Sequence, residues 1–167
     1  MQKLLILGAG GYGRTLCETA QALGIFEEIA FLDDRAQGAL GVCADYARYA
    51  GEYACAYPAF GENALRMAWL SKLAAAGYRV PALVHPRAFV SPSATVEDGA
   101  VVLANAAVGC GTVLRAGCIV NMGALVDHDC VIGCGAHLAP GVVVKAGNTV
   151  ADGAKLESGT VLLRQNG

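Results

Sequence analysis

The 167-residue sequence lacks the features that several classes of protein require. It has no run of Lys and Arg and carries a formal net charge of −2, so we expect no nucleic-acid partner. No apolar stretch approaches the ~20 residues of a membrane-spanning helix, and the opening segment 1–7 is too short for a signal peptide. The seven cysteines include no CxxC pair, which argues against a secreted disulfide framework. These absences favour a cytoplasmic protein without a membrane span.

A period of six residues dominates the chain from 88 to 165. The third residue of all thirteen blocks is aliphatic: Val90, Val96, Val102, Val108, Leu114, Val120, Val126, Ile132, Leu138, Val144, Val150, Leu156 and Leu162. A small or modest residue stands two positions before each, and Cys118 and Cys130 fall in this slot, where we expect them to pack. Glycine recurs at one place in the six, where a turn needs a permissive φ. A strict period of six residues matches neither an α-helix nor a simple strand, and it predicts a parallel β-helix.

The first forty residues predict a nucleotide-binding βαβ unit. A strand at 3–7, a glycine-rich loop, a helix at 14–23 and a strand at 29–32 follow one another, and the second strand ends in two aspartates. The loop residues assigned to the substrate phosphates are Gly8, Gly10, Gly11, Tyr12 and Gly13, and the acidic pair assigned to the ribose or base is Asp33 and Asp34. The alternative is a tight turn that only packs the strand on the helix.

The domain organisation follows from the position of the repeats. Only about 85 residues precede them, which allows one nucleotide-sized half and not a complete dinucleotide fold. We find no clear structure in 38–60, which contains four tyrosines, and predict a helix over 62–76 and a last strand over 79–84. The predicted domains are a Rossmann-like nucleotide-sugar-binding domain over 1–85 and a β-helix over 86–167.

One segment of the repeats carries a candidate catalytic group. His128 lies two residues after the inward-facing Val126, so its side chain is expected on the outer surface. Asp127 and Asp129 flank it, and an imidazole held by a carboxylate is a common general base near neutral pH. The alternative is a solvated surface histidine with acidic turn residues beside it.

Several motifs together resemble the bacterial sialic acid O-acetyltransferase and UDP-4-amino-sugar N-acetyltransferase family (NeuD/PglD type). The resemblance runs from residue 3 to about 150 and is most specific in the last two of its segments. The segments are the glycine loop at 8–13, Phe31-Leu32-Asp33-Asp34, Phe60-Gly61-Glu62-Asn63, His85-Pro86, Asp127-His128-Asp129-Cys130-Val131-Ile132-Gly133 and Gly135-Ala136-His137-Leu138-Ala139-Pro140-Gly141.

The resemblance implies a left-handed β-helix with 18-residue coils, about four of them here, in a homotrimer with active sites between subunits. It implies acetyl-CoA as the co-substrate, bound along the β-helix near His137, Gly141 and Ala146. It further implies that His128 takes a proton from the acceptor and that Asp127 orients the ring. Because His137 follows His128 by half of such a coil, the two cannot share a face, and a neighbouring subunit must bring the second if both serve one site.

The same resemblance predicts the function, and the chain departs from the family pattern in two respects. We expect an acetyltransferase that acts on the amine of a UDP-linked amino sugar; the alternatives are a sialic acid O-acetyltransferase and a non-catalytic sugar-nucleotide-binding or scaffold protein. Tyr12 replaces a common histidine of the family, and the chain ends early, which gives a shortened C-terminus. We expect no metal, because eight residues separate the closest two of the three histidines, against four in the γ-class carbonic anhydrases.

Overall fold

The structure is a computed structural model that describes residues 2–164. Met1 and residues 165–167, which include the end of the predicted repeat region, lie outside the described residues. The chain divides into two compact units, Met1–Pro81 and Ala82–Gly167. No helix within 2–164 is long and apolar enough to cross a membrane.

The N-terminal unit is an α/β arrangement around a short parallel sheet. Its elements in chain order are β1 (Gln2–Leu7), α1 (Gly11–Leu23), β2 (Phe26–Leu32), a 3-10 helix (Cys43–Tyr49), β3 (Cys55–Pro58) and α2 (Asn63–Ala75). The strand order is β2-β1-β3, and both pairs are parallel. Strand β1 lies in the middle, and its last four residues are fully buried because neighbours cover it on both edges and both faces.

The segment that showed no clear pattern in the sequence contains β3 and the 3-10 helix. Strand β3 has only four residues, all buried, so it shows neither alternation nor length to distinguish it from a loop. Its Tyr57 lies in the core with Tyr53, while Tyr46 packs edge-on against Trp69 of α2 with ring centroids 5.4 Å apart. These tyrosines therefore serve packing in the unit.

The predicted strand over 79–84 is wrong as a single element. Arg79 forms an isolated parallel bridge with Cys55, whereas β4 (Leu83–Val84) pairs with a strand of the second unit. Pro81 stands between the two pairings, and because it has no N–H it cannot continue a ladder. The chain therefore leaves one sheet and enters another within three residues.

The second unit is a left-handed parallel β-helix built from strands of two residues. After β4 these are β5 (Phe89–Val90), β6 (Thr95–Val96), β7 (Val101–Val102), β8 (Ala107–Val108), β9 (Val113–Leu114), β10 (Ile119–Val120), β11 (Leu125–Val126), β12 (Val131–Ile132), β13 (His137–Leu138), β14 (Val143–Val144), β15 (Thr149–Val150), β16 (Lys155–Leu156) and β17 (Val161–Leu162). The fold class predicted from the sequence is thereby confirmed.

The strands form three parallel sheets, one for each wall of the β-helix. The first sheet contains β4, β7, β10, β13 and β16; the second contains β5, β8, β11, β14 and β17; the third contains β6, β9, β12 and β15. Ile119 pairs with Val101 below and His137 above, so one coil takes 18 residues. The aliphatic residue of each hexapeptide points inward, and one continuous core runs between the three sheets. Cys118 and Cys130 are fully buried in this core, as their slot predicted.

Candidate active site

The glycine loop connects β1 to α1, and its glycines serve two purposes. Gly8 has φ 100°, and a side chain on Gly13 would collide with the carbonyl oxygen of Gly8. These two glycines therefore allow the close packing of strand on helix that the alternative interpretation required. Gly10 and Gly11, in contrast, have open space where a side chain would be. Helix α1 begins there without a side-chain cap, so its N-terminus can donate main-chain hydrogen bonds to an anion.

The two aspartates at the end of β2 hold the loops around this helix terminus. Asp33 accepts the main-chain N–H of Ala9 at 2.8 Å, and those of Arg35 and Ala36 at 2.8 and 2.7 Å. These three donors hold the pKa of the Asp33 carboxyl below its usual value, Ala9 contributing most. Asp34 accepts the N–H of Cys43 at 2.9 Å. The first role of this pair is thus structural, and its contact with a ribose or base stays a prediction.

His128 lies at the corner between the second and third sheets, in the turn from β11 to β12. Its side chain is 47% exposed, in agreement with the outer position predicted from the repeat. Its Nδ1 lies 2.7 Å from Oδ2 of Asp129. A carboxylate at this distance favours the tautomer with hydrogen on Nδ1, which leaves Nε2 as the acceptor facing solvent.

The carboxylate that contacts the imidazole in the structure is that of Asp129, and the catalytic role expected of Asp127 stays a prediction. Asp127, expected in that role, turns its Oδ1 to the main-chain N–H of His128 at 2.8 Å. This N–H is the largest cause of the lowered pKa of Asp127, and the N–H of Ala146 and the charge of Lys145 lower it further. Because its carboxylate is satisfied by its own turn and the next coil, Asp127 stabilises the turn, and Asp129 holds the ring.

Asp129 adopts a backbone conformation that its side chain makes costly. Its φ is 55°, and Asn105 is the other non-glycine residue with positive φ among residues 2–164. The equivalent turn positions one coil below and above are Gly111 and Gly147, with φ 68° and 72°. A non-glycine residue there is strained, and strain of this kind concentrates at functional sites. Its departure from the glycine pattern is a signal in the sequence that could have identified Asp129.

The coil below is adapted to the turn that carries His128. A Cβ on Gly109 would lie 2.7 Å from the main-chain nitrogen of His128, and one on Gly111 would lie 2.5 Å from Oδ1 of Asp129. Both distances are shorter than real Cβ contacts allow. Glycine at these two positions therefore lets the turn 127–129 sit directly on the coil below it.

The residues expected to bind acetyl-CoA lie at three places on the β-helix. His137 is in β13 of the first sheet, and its Nε2 lies 3.1 Å from Nδ2 of Asn121, a contact that the sequence did not predict. Gly141 lies at the corner between the first and second sheets, and the buried Ala146 lies at the His128 corner one coil above. His128 and His137 are thus on different faces, as their spacing predicted, while their roles stay predictions.

A shallow cavity of about 270 Å³ adjoins the His128 corner on the second sheet. Asp127 and Lys145 line its polar side, and Leu125 and Val143 its apolar side. No group of three His, Cys, Asp or Glu residues within 2–164 is arranged to hold a metal ion. The lining of this cavity therefore offers a carboxylate, a cation and an apolar wall.

Comparisons with known proteins identify the family of this chain. Residues 3–73 match the PglD N-terminal domain. The acetyltransferase domain of PglB from Neisseria gonorrhoeae FA1090, solved in complex with acetyl coenzyme A, is 34% identical with a TM-score of 0.88, over 96% of this chain and 92% of that one. The chain belongs to the NeuD/PglD-type sugar acetyltransferase family. The family and the enzyme class predicted from the sequence, an acetyl-CoA-dependent acetyltransferase, are thereby confirmed.

A second relative is informative about the acceptor. A variant of perosamine N-acetyltransferase from Caulobacter crescentus, solved in complex with CoA and GDP-perosamine, is 25% identical to this chain. Its TM-score is 0.88, and the match covers 98% of this chain and 90% of that one. The relatives of this chain thus include an N-acetyltransferase solved with a sugar nucleotide and an acetyltransferase solved with the acetyl donor.

Proposed function

We propose that this protein transfers the acetyl group of acetyl-CoA to the amine of a UDP-linked amino sugar. The observation that carries the proposal is the pair His128–Asp129, held on a strained turn beside an open cavity. The acetyl donor is supported by the gonococcal relative, which is solved with acetyl coenzyme A. A sugar-nucleotide amine as acceptor is supported by the Caulobacter relative, which is solved with GDP-perosamine.

The proposed chemistry is a direct attack of the amine on the thioester carbonyl. Nε2 of His128 accepts a proton from the amine as the new C–N bond forms, and Asp129 stabilises the imidazolium through Nδ1. Main-chain N–H groups stabilise the oxyanion, and coenzyme A leaves as its thiolate when the tetrahedral intermediate collapses. The proton that His128 took from the amine then passes to the leaving thiolate, so atoms and charge balance.

The nucleotide is proposed to bind at the glycine loop of the N-terminal unit. The open positions Gly10 and Gly11 at the uncapped start of α1 suit a diphosphate, with Tyr12 beside them. The resemblance of the sequence motifs to those of UDP-4-amino-sugar enzymes favours uridine as the base. A GDP-linked sugar, as in the Caulobacter relative, is the alternative that the assay must compare.

We further propose that the protein is a homotrimer through the outer face of the second sheet. The outward residues of its five strands are all apolar: Phe89, Ala107, Leu125, Val143 and Val161. Three of them are strongly exposed in the single chain, with 61% for Phe89, 47% for Leu125 and 50% for Val161. A column of this kind indicates a protein–protein contact. Since Asp127 and Lys145 border this face, a neighbouring copy would complete the site.

The decisive experiment measures acetyl transfer with purified protein, acetyl-CoA and three acceptors: UDP-linked amino sugars, GDP-perosamine and free sialic acid. We expect turnover with a UDP-linked amino sugar and a loss of about 10² to 10⁴ in kcat for His128→Ala, the usual contribution of a general base. His85→Ala is the matched control, because His85 lies outside the proposed site and should leave kcat unchanged.

The outcomes separate the candidate functions. Turnover with sialic acid alone would show that the acceptor group is a hydroxyl and not an amine. Turnover with GDP-perosamine alone would show that the nucleotide base is guanine and not uracil. Binding of UDP without acetyl-CoA in calorimetric titration, together with no turnover, would identify a sugar-nucleotide-binding protein. Full activity of His128→Ala would refute the proposed mechanism while leaving the enzyme class intact.

A further inference from the structure

Polar side chains fill the core at the corner that carries His128. At this corner the small inward slot of successive coils holds Ala94, Thr112, Cys130 and Asn148, whereas alanine predominates at the other two corners. Thr112 and Cys130 are fully buried, and Asn148 is 3% exposed. Buried polar groups are kept in proteins when they are hydrogen-bonded. Each of these side chains therefore needs a partner inside the β-helix.

Each of the three donates to a main-chain carbonyl fifteen residues later, in the turn one coil above. Thr112 Oγ1 donates to the Asp127 carbonyl at 2.8 Å. Cys130 Sγ donates to the Lys145 carbonyl at 3.2 Å, and Asn148 Nδ2 donates to the Leu163 carbonyl at 3.1 Å. The repetition over three coils indicates that the inward side chains of this corner hold its turns from inside.

The hydroxyl of Thr112 replaces the ordinary hydrogen bond of the turn that carries His128. Turns at the other corners are closed by the main-chain N–H of their fourth residue and the carbonyl of their first, as in Cys118 to Arg115 (3.2 Å), Ala124 to Asn121 (3.1 Å) and Ala136 to Gly133 (3.1 Å). At the His128 corner the described turn 91–94 has this bond (Ala94 to Ser91, 2.9 Å), whereas turns 109–112, 127–130 and 145–148 do not. The N–H of Cys130 instead donates to Thr112 Oγ1 at 3.2 Å, and Thr112 donates to the Asp127 carbonyl.

We infer that Thr112 is a positioning residue for the catalytic base. Its hydroxyl bridges the first and last residues of the turn, and this bridge sets the backbone of His128 and the left-handed Asp129. Thr112 is fully buried, so it cannot touch a substrate and acts through the turn. The inference rests on the proposed function, in which His128 is the base.

The test compares Thr112→Val, which keeps the shape of the side chain and removes both hydrogen bonds, with Thr112→Ser, which keeps the hydroxyl. We expect Thr112→Val to lower kcat roughly ten- to hundredfold, the effect of a small misplacement of a catalytic group, with the KM values of both substrates little changed. Thr112→Ser should restore most of kcat. Cys118→Ala, at an inward slot of another corner, should have the activity of the unchanged protein.

A second readout does not depend on activity. The chain has three histidines, so the ring signals of ¹³C-labelled histidine can be assigned by single substitutions in ¹H–¹³C spectra. We expect Thr112→Val to shift the His128 signal and leave that of His85 in place, with Thr112→Ser close to the unchanged protein. If no acceptor is acetylated even by the unchanged protein, the proposed function fails, and this shift still decides whether Thr112 positions the ring.

Three results would overturn the inference. The first is an unmoved His128 signal together with an unchanged kcat in Thr112→Val. The second is a change in KM without a change in kcat. The third is an equal fall of kcat in Thr112→Val and Thr112→Ser, which would indicate that the side chain serves packing alone. If Thr112→Val does not fold, Thr112→Ala replaces it, because it removes the same two hydrogen bonds and adds no bulk. A shift of the His128 signal in Thr112→Ala and not in Cys118→Ala supports the role of Thr112; equal spectra refute it.

Discussion

The strained turn at Asp129 allows stability and activity to be separated in one set of variants. Asp129 has φ 55°, and its carboxylate holds Nδ1 of His128 at 2.7 Å. Glycine at this position relieves the strain and removes the carboxylate. Alanine keeps the strain without the carboxylate, and asparagine keeps a side chain that tolerates left-handed geometry but carries no charge. The three substitutions therefore change the backbone and the imidazole contact in different combinations.

The magnitudes follow from the backbone and from the role of the carboxylate. A left-handed conformation costs an L-residue about 1–2 kcal/mol, and glycine loses about 0.5–1 kcal/mol through its greater freedom in the unfolded chain. The net advantage of glycine over alanine is about 0.5–1 kcal/mol, or roughly 1–4 °C in Tm for a chain of this size. All three variants lose the group that orients His128, so kcat should fall about a hundredfold in each.

The assay is a thermal melt at one protein concentration beside a steady-state measurement of kcat. Asn105 is the matched control, because it has φ 61° in a turn away from His128. Asn105→Gly and Asn105→Ala should show the same gap in Tm with kcat unchanged. Equal Tm for Asp129→Gly and Asp129→Ala would refute the strain, and a fully active Asp129→Asn would refute the role of the carboxylate.

Two further predictions test the other parts of the molecule. Asp33 has a lowered pKa, so its contribution to folding stability is present above its unfolded value of about 3.9 and is lost as pH falls through the lower folded value. The free energy of unfolding in urea should therefore depend less on pH between pH 3 and 7 in Asp33→Asn than in the unchanged protein. The same pH dependence in both proteins would contradict this. Leu125→Asp places a charge in the middle of the apolar column and should convert trimers to monomers in sedimentation, whereas Thr95→Asp on the third sheet should not; a Leu125→Asp protein that stays trimeric would exclude this face as the interface.

The sequence predicted the secondary structure well where a period or a loop motif was present. The hexapeptide period predicted the β-helix and its inward residues, because an aliphatic side chain and a small one must enter the narrow core in each block of six. The glycine loop predicted β1 and α1, although the helix begins three residues earlier than expected, at Gly11. Strand β3 was missed, because four buried residues carry no alternation.

The sequence by itself determined the family, the β-helix and the identity of His128 as the candidate base. These depend on spacing along the chain, which a repeat displays directly. Only the tertiary structure decided which acidic neighbour meets the imidazole, and that Thr112 is hydrogen-bonded to the turn 127–130 from the coil below. Asp127 and Asp129 are equivalent neighbours in the sequence; the left-handed backbone at Asp129 turns its carboxylate to the ring. Thr112 reaches Asp127 because an 18-residue coil places them on adjacent layers, a contact that the stacking of coils creates.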